Sequence, residues 1–113
     1  MARHRILKNE KLSAGSSGNK DFPPIPSKKT LKLRSFGAAD INMGDNKSSV
    51  WVLQWGAIGN FETIRVLSLT GFTKEILFKR ELIGDGVKFL RVKCINNSGF
   101  EKDLPFWVEG ILG

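Results

Sequence analysis

From Thr30 to the C-terminus, apolar and polar residues alternate with a period of two, interrupted by glycine, asparagine and aspartate. That pattern predicts short antiparallel strands. The first run, Thr30-Leu31-Lys32-Leu33-Arg34-Ser35-Phe36, is apolar on one face and basic on the other. A polar loop from Asp40 to Ser49, containing Asn42, Gly44, Asp45 and Asn46, leads into Val50-Trp51-Val52-Leu53-Gln54-Trp55. Residues 56–60 turn the chain into a run over 61–69, which Gly71 breaks. Residues 74–83 carry both periods: Ile76, Leu77, Arg80 and Ile83 fit a helix, while Ile76, Phe78 and Leu82 fit a strand. The neighbouring runs and the turn behind it favour the strand. That turn, Gly84-Asp85-Gly86, predicts a hairpin because Asp-Gly takes up the positive φ angles of primed turns. A strand over 87–95 follows, then a turn at Asn96-Asn97-Ser98-Gly99, then a closing run with Leu104, Phe106, Trp107, Val108 and Ile111. Pro105 places that run at an edge or a bend. The sum is a mainly-β domain over 29–113. It is expected to be a small antiparallel meander of five or six strands, closed as a barrel or a two-layer sandwich.

The first 28 residues lack such a pattern. Residues 1–12 show no sustained apolar face, and a helix that short is marginal in water. Ser13-Ala14-Gly15-Ser16-Ser17-Gly18-Asn19 has the composition of a flexible linker. In Phe22-Pro23-Pro24-Ile25-Pro26 each proline fixes φ and restricts the residue before it, which favours polyproline II. Residues 1–28 are therefore expected to be a flexible basic arm with a proline-rich spacer, ordered only on a partner.

Charge sharpens this division. Of 113 residues, 18 are Lys or Arg and 11 are Asp or Glu, a net +7. Residues 1–34 hold nine cations (Arg3, Arg5, Lys8, Lys11, Lys20, Lys28, Lys29, Lys32, Arg34) and two anions, which accounts for the whole excess. Residues 35–113 are balanced. Such asymmetry points to a polyanionic partner, nucleic acid or an acidic membrane surface. No apolar core follows the N-terminal charges, since Ile6-Leu7 runs straight into Lys8, and the longest charge-free stretch, residues 50–61, is 12 residues long. That is well short of the ~20 a membrane-spanning helix needs. The expected location is the cytoplasm or nucleus of a host cell, or a virion, without secretion or a transmembrane segment.

Catalytic chemistry finds little support. Cys94 is the one cysteine and His4 the one histidine. Alternation puts Cys94 with Leu90 and Val92 on the buried face, where a thiol acts as a small hydrophobe, and no histidine stands by to activate it. The carboxylates are scattered through turns, the ligands are too dispersed for a metal, and the glycines match no phosphate loop. No enzyme activity and no cofactor are expected. Binding chemistry is more legible. Lys88, Arg91 and Lys93 interleave with Phe89 in a run without acids, which suits phosphate contacts beside a base-stacking ring. Against this, lysine on a strand also guards a solvated edge. Trp51 and Trp55 share a face with Leu53 and belong to the core; Trp107 either completes it or marks an apolar edge for association. Pro23, Pro24 and Pro26 contain the minimal PxxP spacing that SH3-like grooves read, or form a stiff spacer.

A basic arm (Arg3, Arg5, Lys8, Lys11, Lys28, Lys29, Lys32, Arg34), a small-residue linker and a compact β-module together resemble the organisation of small viral capsid or nucleocapsid proteins. The resemblance implies a non-enzymatic structural protein that binds nucleic acid, RNA before DNA, and self-associates. A basic N-terminus followed by a proline motif is also similar to matrix proteins of negative-strand RNA viruses, which implies an acidic membrane as partner. A third reading is an accessory factor that binds a host protein through a β-edge.

Overall fold

The computed structural model describes residues 2–13, 15–40, 49–70 and 73–113. The polar loop with Asn42, Gly44, Asp45 and Asn46, and the break at Gly71, lie outside the described residues. Among those described, the chain forms eight antiparallel strands in two four-stranded sheets and no helix. They are β1 (Ala2–Leu12), β2 (Ser17–Asp21), β3 (Thr30–Ala39), β4 (Ser49–Ala57), β5 (Asn60–Leu69), β6 (Thr73–Ile83), β7 (Phe89–Asn96) and β8 (Lys102–Leu112). The ambiguous segment is strand β6, as favoured.

One sheet has the order β1-β8-β3-β6 and the other β2-β7-β4-β5. Only β4 and β5 are neighbours both in sequence and in a sheet; every other connection crosses between the layers. Eight strands wound in this way over two sheets make a jelly roll. The antiparallel β class and the two-layer sandwich are as expected. The strand count is higher, and the winding replaces simple up-and-down succession. The turn at Gly84-Asp85-Gly86 illustrates the reason. Its local chemistry is that of a tight turn: Gly86 has φ +83°, and the Asp85 carboxylate accepts the N–H groups of Val87 and Lys88 at 2.9 and 2.8 Å. The strands it joins nevertheless belong to opposite sheets, because Leu82 and Leu90 both turn inward to one core. Gly84 N–H donates to Lys29 O at 2.8 Å and Gly86 N–H to Ile25 O at 3.0 Å, so the turn is fastened to the β2–β3 connection.

The core follows from alternation. Trp51, Leu53 and Trp55 of β4 and Leu90, Val92 and Cys94 of β7 face Leu33, Phe36, Leu104, Phe106 and Val108 of the other sheet. Trp51 is fully buried and its indole N–H reaches across the layers to Leu104 O at 3.4 Å. Two bulges keep the period in step with the core. At Leu33/Ser35 the register of β3 shifts, so that both Leu33 and Phe36 point inward, three residues apart. At Leu53/Gln54 the shift turns Ile64 of β5 inward. An extra residue in one strand is what produces such a reset.

Residues 1–28 are expected from the sequence to be a mobile arm; the described residues among them instead supply two edge strands and part of the core. β1 pairs with β8 from Ala2↔Leu112 to Leu12↔Lys102, and β2 pairs with β7 from Ser17↔Ile95 to Asp21↔Arg91. Leu12, Phe22 and Ile25 are buried. The Phe22 ring meets Phe106 edge-on with centroids 6.4 Å apart, while Phe22 and Ile25 donate backbone N–H groups to Leu90 O and Lys88 O. Ser-Gly-Asn-Lys-Asp in β2 gave no apolar alternation because an edge strand can be held by its ladder hydrogen bonds alone.

Polar groups lock the crossovers at the end where β1 meets β2 and β7 meets β8. The Asn96 side chain is fully buried. Its amide N–H₂ donates to Leu12 O, Ser13 O and Phe100 O at 3.0, 3.2 and 2.7 Å, and its oxygen accepts from Ser98 N–H and Ser98 Oγ–H at 3.0 and 2.7 Å. Beside it, the buried Asp40 carboxylate accepts from Lys102 Nζ at 3.0 Å and Ser49 Oγ at 3.2 Å.

Four variants test this account of stability. Trp51→Ala should cost on the order of 3–5 kcal/mol in denaturant unfolding; a change near zero would place that ring outside the core. Asn96→Ala should cost about 3 kcal/mol or more, since it strands several buried partners at about 1–3 kcal/mol each. Asn96→Asp should fare little better at neutral pH, because a carboxylate would face three carbonyl oxygens, and a variant as stable as the parent would show the amide network to be idle. Deleting residues 1–28 removes three buried side chains worth roughly 1.5–3 kcal/mol each. Calorimetry should then show no cooperative transition, and an unchanged midpoint would show β1 and β2 to be separable.

Candidate functional site

The cations of the first third are spread over an edge and an end of the sandwich. On β1, an edge strand, Arg3, Arg5 and Lys8 stand opposite Ile111, Glu109 and Phe106 of β8. Their side chains lie outside the described residues. Lys11 is exposed and pairs with Glu101 at 3.5 Å, a surface contact of small energetic weight. Lys28 and Lys29 are exposed in the β2–β3 connection, where Lys28 takes a positive φ of 68° and Lys29 N–H bonds Pro26 O at 3.1 Å. Lys32 lies between Ile111 of β8 and Glu81 of β6, and Arg34 occupies the β3 bulge. The topology thus brings Arg3, Lys28, Lys29, Lys32 and Lys88 to the same end of the molecule, and sends Lys8 and Lys11 along β1 toward the other.

The β7 cluster forms on the outer face of the second sheet. Phe89, Arg91 and Lys93 share that face by alternation, while Leu90, Val92 and Cys94 are buried behind them. Lys88 precedes the strand and is exposed. Two residues that the sequence reading did not associate with the cluster complete it. Phe61 of β5 meets Phe89 edge-on, centroids 5.4 Å apart at 77°, and the Arg91 guanidinium lies 4.5 Å over the Phe61 ring. Asp21 of β2 clamps Arg91 through two hydrogen bonds, Nε to Oδ1 at 2.7 Å and a terminal nitrogen to Oδ2 at 3.1 Å. The hydrogen bonds to that carboxylate push the Arg91 pKa above its already high value, against the opposing effect of burial. The guanidinium is therefore engaged on its edge and on its face, and Lys93 carries the unclamped charge exposed on this strand. Asp21 sits in register with Arg91, a pairing visible only once β2 is known to be a strand.

Trp107 lies on β8, a central strand, with its indole ring over Gly37, where a Cβ would come within 2.1 Å of the ring. The indole N–H donates to the Glu75 carboxylate of β6. At 9% exposure it packs the outer face of its sheet and offers a partner little surface.

The prolines take a different part. Phe22 and Ile25 turn inward and Pro23, Pro24 and Pro26 stay exposed, so the segment straps the mouth between the sheets. Beneath the strap is an apolar cavity of about 210 Å³ between β3, β7 and β8. The exposed apolar side chains Ile58 and Val87, in turns, and Ile83, the last residue of β6, are at this same end. In the turn above, Asp85 has its carboxyl held below the usual aspartate range by the Lys88 and Val87 backbone N–H groups.

No group of three or more metal-binding side chains occurs among the described residues, and no helix among them is long and apolar enough to cross a membrane. No protein-family model matches the chain, and no curated protein matches it. Among solved structures, the Yersinia pseudotuberculosis-derived mitogen is similar with a TM-score of 0.52 at 10% identity, over 96% of this chain and 86% of that chain. The infectious bursal disease virus Gx strain structure matches with a TM-score of 0.37 at 8% identity, over 96% of this chain and 31% of that chain. The likeness to the mitogen is one of fold alone, and the viral one is too loose to carry an argument.

Proposed function

We propose that the chain is a non-enzymatic structural subunit whose basic first third holds a nucleic acid, RNA before DNA, while the sandwich associates with further copies. One observation carries the reading: the whole +7 lies in residues 1–34, on an edge strand and one end of a domain that is otherwise neutral. Jelly rolls serve capsid subunits and lectin domains alike, so the fold leaves the choice open, and the charge favours a polyanion. Self-association would use the free edges β5 and β6, where Val66 and Leu77 are exposed. A second reading, peripheral attachment to acidic membranes, draws on Ile58, Ile83 and Val87, exposed at the same end of the molecule as Lys28, Lys29 and Lys88, a combination of apolar tips and cations that suits an interfacial protein. Flotation with acidic vesicles in the absence of RNA separates the two.

Counterion release sets the test of the first reading. If about five cations engage a single strand or duplex, log K against log salt should fall with a slope of roughly −3.5 to −4.5. Replacing Arg3, Arg5, Lys8 and Lys11 together by alanine should flatten the slope by about three units. Replacing Lys88, Arg91 and Lys93 should change it by at most about two, because Arg91 is already neutralised by Asp21. Wild-type affinity and slope in the first variant, with both lost in the second, would move the binding surface to the outer face of the β7 sheet.

A further inference from the structure

The cavity beneath the proline strap is lined by apolar residues of β3, β7 and β8. On β8 the inward positions run Val108, Gly110, Leu112. Gly110 adds no side chain to the lining, and a Cβ there would meet Lys32 O at 2.9 Å and the Leu31 side chain at 3.0 Å. The close approach of β3 and β8 thus requires glycine, and the cavity beside it is walled by Leu31, Leu33, Leu90 and Leu112 and roofed by Phe22 and Ile25. At about 210 Å³ it exceeds the ~150 Å³ apolar void that stays dry and takes up benzene.

The walls also define what could enter. Three of the five strap residues are prolines without an N–H, and the N–H groups of Phe22 and Ile25 are spent on Leu90 O and Lys88 O. The nearby turn is likewise committed: Gly84 and Gly86 donate to Lys29 O and Ile25 O. A polar group inside would find no donor from the strap or the turn and would bear its full desolvation cost. The entering group must be hydrocarbon. Outside, the sign of charge is set. Lys28 and Lys29 follow the lining residue Pro26, and Lys88 holds the strap through its carbonyl; all three are exposed. Of the acids beside them, Asp21 is paired with Arg91, while Asp85, held by the backbone N–H groups of Val87 and Lys88, keeps its charge next to Lys88 and leaves Lys28 and Lys29 to set the sign.

We infer that this cavity binds the hydrocarbon chain of a small anionic amphiphile, a medium-chain fatty carboxylate, with the carboxylate left at the mouth among Lys28, Lys29 and Lys88. The inference stands apart from the nucleic-acid reading, since the lining residues are not cations.

The test is a chain-length series. Straight-chain carboxylates from butanoate to dodecanoate, below their micelle concentrations, are titrated calorimetrically into the intact protein. Each added methylene should tighten Kd about fourfold until the cavity is full, after which Kd should level off. The matching alcohols should bind more weakly, and salt should erase the difference. Leu112→Trp, which fills the hole from the half-buried end of β8, should bring the plateau to shorter chains, with Leu31→Trp as the alternative where a thermal melt shows the first to be unfolded. Lys28→Glu with Lys29→Glu should abolish the preference for carboxylate over alcohol and leave the chain-length dependence intact. RNA affinity of the tryptophan variants should be unchanged, so failure here and failure of the nucleic-acid reading are distinguishable. Three results would overturn the inference: no saturable binding at any length, a gain per methylene that continues through dodecanoate whatever stands at position 112, or binding to acidic vesicles without binding to the monomeric chains.

Discussion

The amide of Asn96 ties together the crossovers on which the two-sheet winding depends. A jelly roll gains its core only when strands leave one layer and return in the other, and each such passage exposes backbone groups that no ladder satisfies. At one end of this molecule the side chain of Asn96 meets that demand for two passages at once, bonding Leu12 and Ser13 on the way from β1 to β2 and Ser98 and Phe100 on the way from β7 to β8. Its own backbone N–H donates to Ser16 O at 2.9 Å. A buried network stabilises when every member is satisfied and penalises when one is not. The ion pair of Asp40 and Lys102, with Ser49, plays the same part where β3 gives way to β4. Such a pair contributes little net energy because desolvation offsets attraction, yet removing one partner is costly. This end is therefore held by groups that specify one geometry.

The opposite end is built on another principle. There the seal is a strap of prolines, two inward hydrophobes and a set of backbone hydrogen bonds among the strap, the β6–β7 turn and the C-terminus, where Thr30 and Gly113 exchange N–H···O bonds of 2.9 and 3.1 Å. Apolar contacts are not directional, so this end can leave space, and the space lies between the strap and the inner faces of β3, β7 and β8. The polar lock and the apolar mouth divide one sandwich into a fixed end and an end open to a ligand or a surface.

Legibility in the sequence followed the same physics. Strands with one buried face declared themselves: Trp51, Leu53 and Trp55, or Leu90, Val92 and Cys94, alternate so regularly that class, core and several boundaries could be read directly. β2 could not, because an edge strand with polar residues on both faces owes its place to hydrogen bonds, not to burial. Phe22 and Ile25 were hidden for a different reason. Two hydrophobes among three prolines have no period, and they are buried because the strap lies over a core made elsewhere. The bulges at Leu33/Ser35 and at Ile64 likewise break the period to serve a register set by neighbouring strands. The pairing of Gly84-Asp85-Gly86 with a crossover shows the limit of turn chemistry, which fixes the bend and leaves open which sheet the chain enters next.

The same distinction governs the charge. Along the sequence nine cations crowd the first third, and in space they divide among the edge strands β1 and β2, the β2–β3 connection and β3. The interleaved run on β7, the most suggestive stretch by composition, loses its strongest phosphate donor to Asp21 and turns its ring edge-on to Phe61. A guanidinium already forked onto a carboxylate must break two hydrogen bonds before it can grip a phosphate. An exposed lysine breaks none of that kind, and its flexible stem lets it follow a backbone of variable path. Affinity for a polyanion on this scaffold should accordingly come from Lys28 and Lys29 behind the strap and the basic positions of the edge strand β1, with the outer face of the β7 sheet acting as a stiff and largely neutral support.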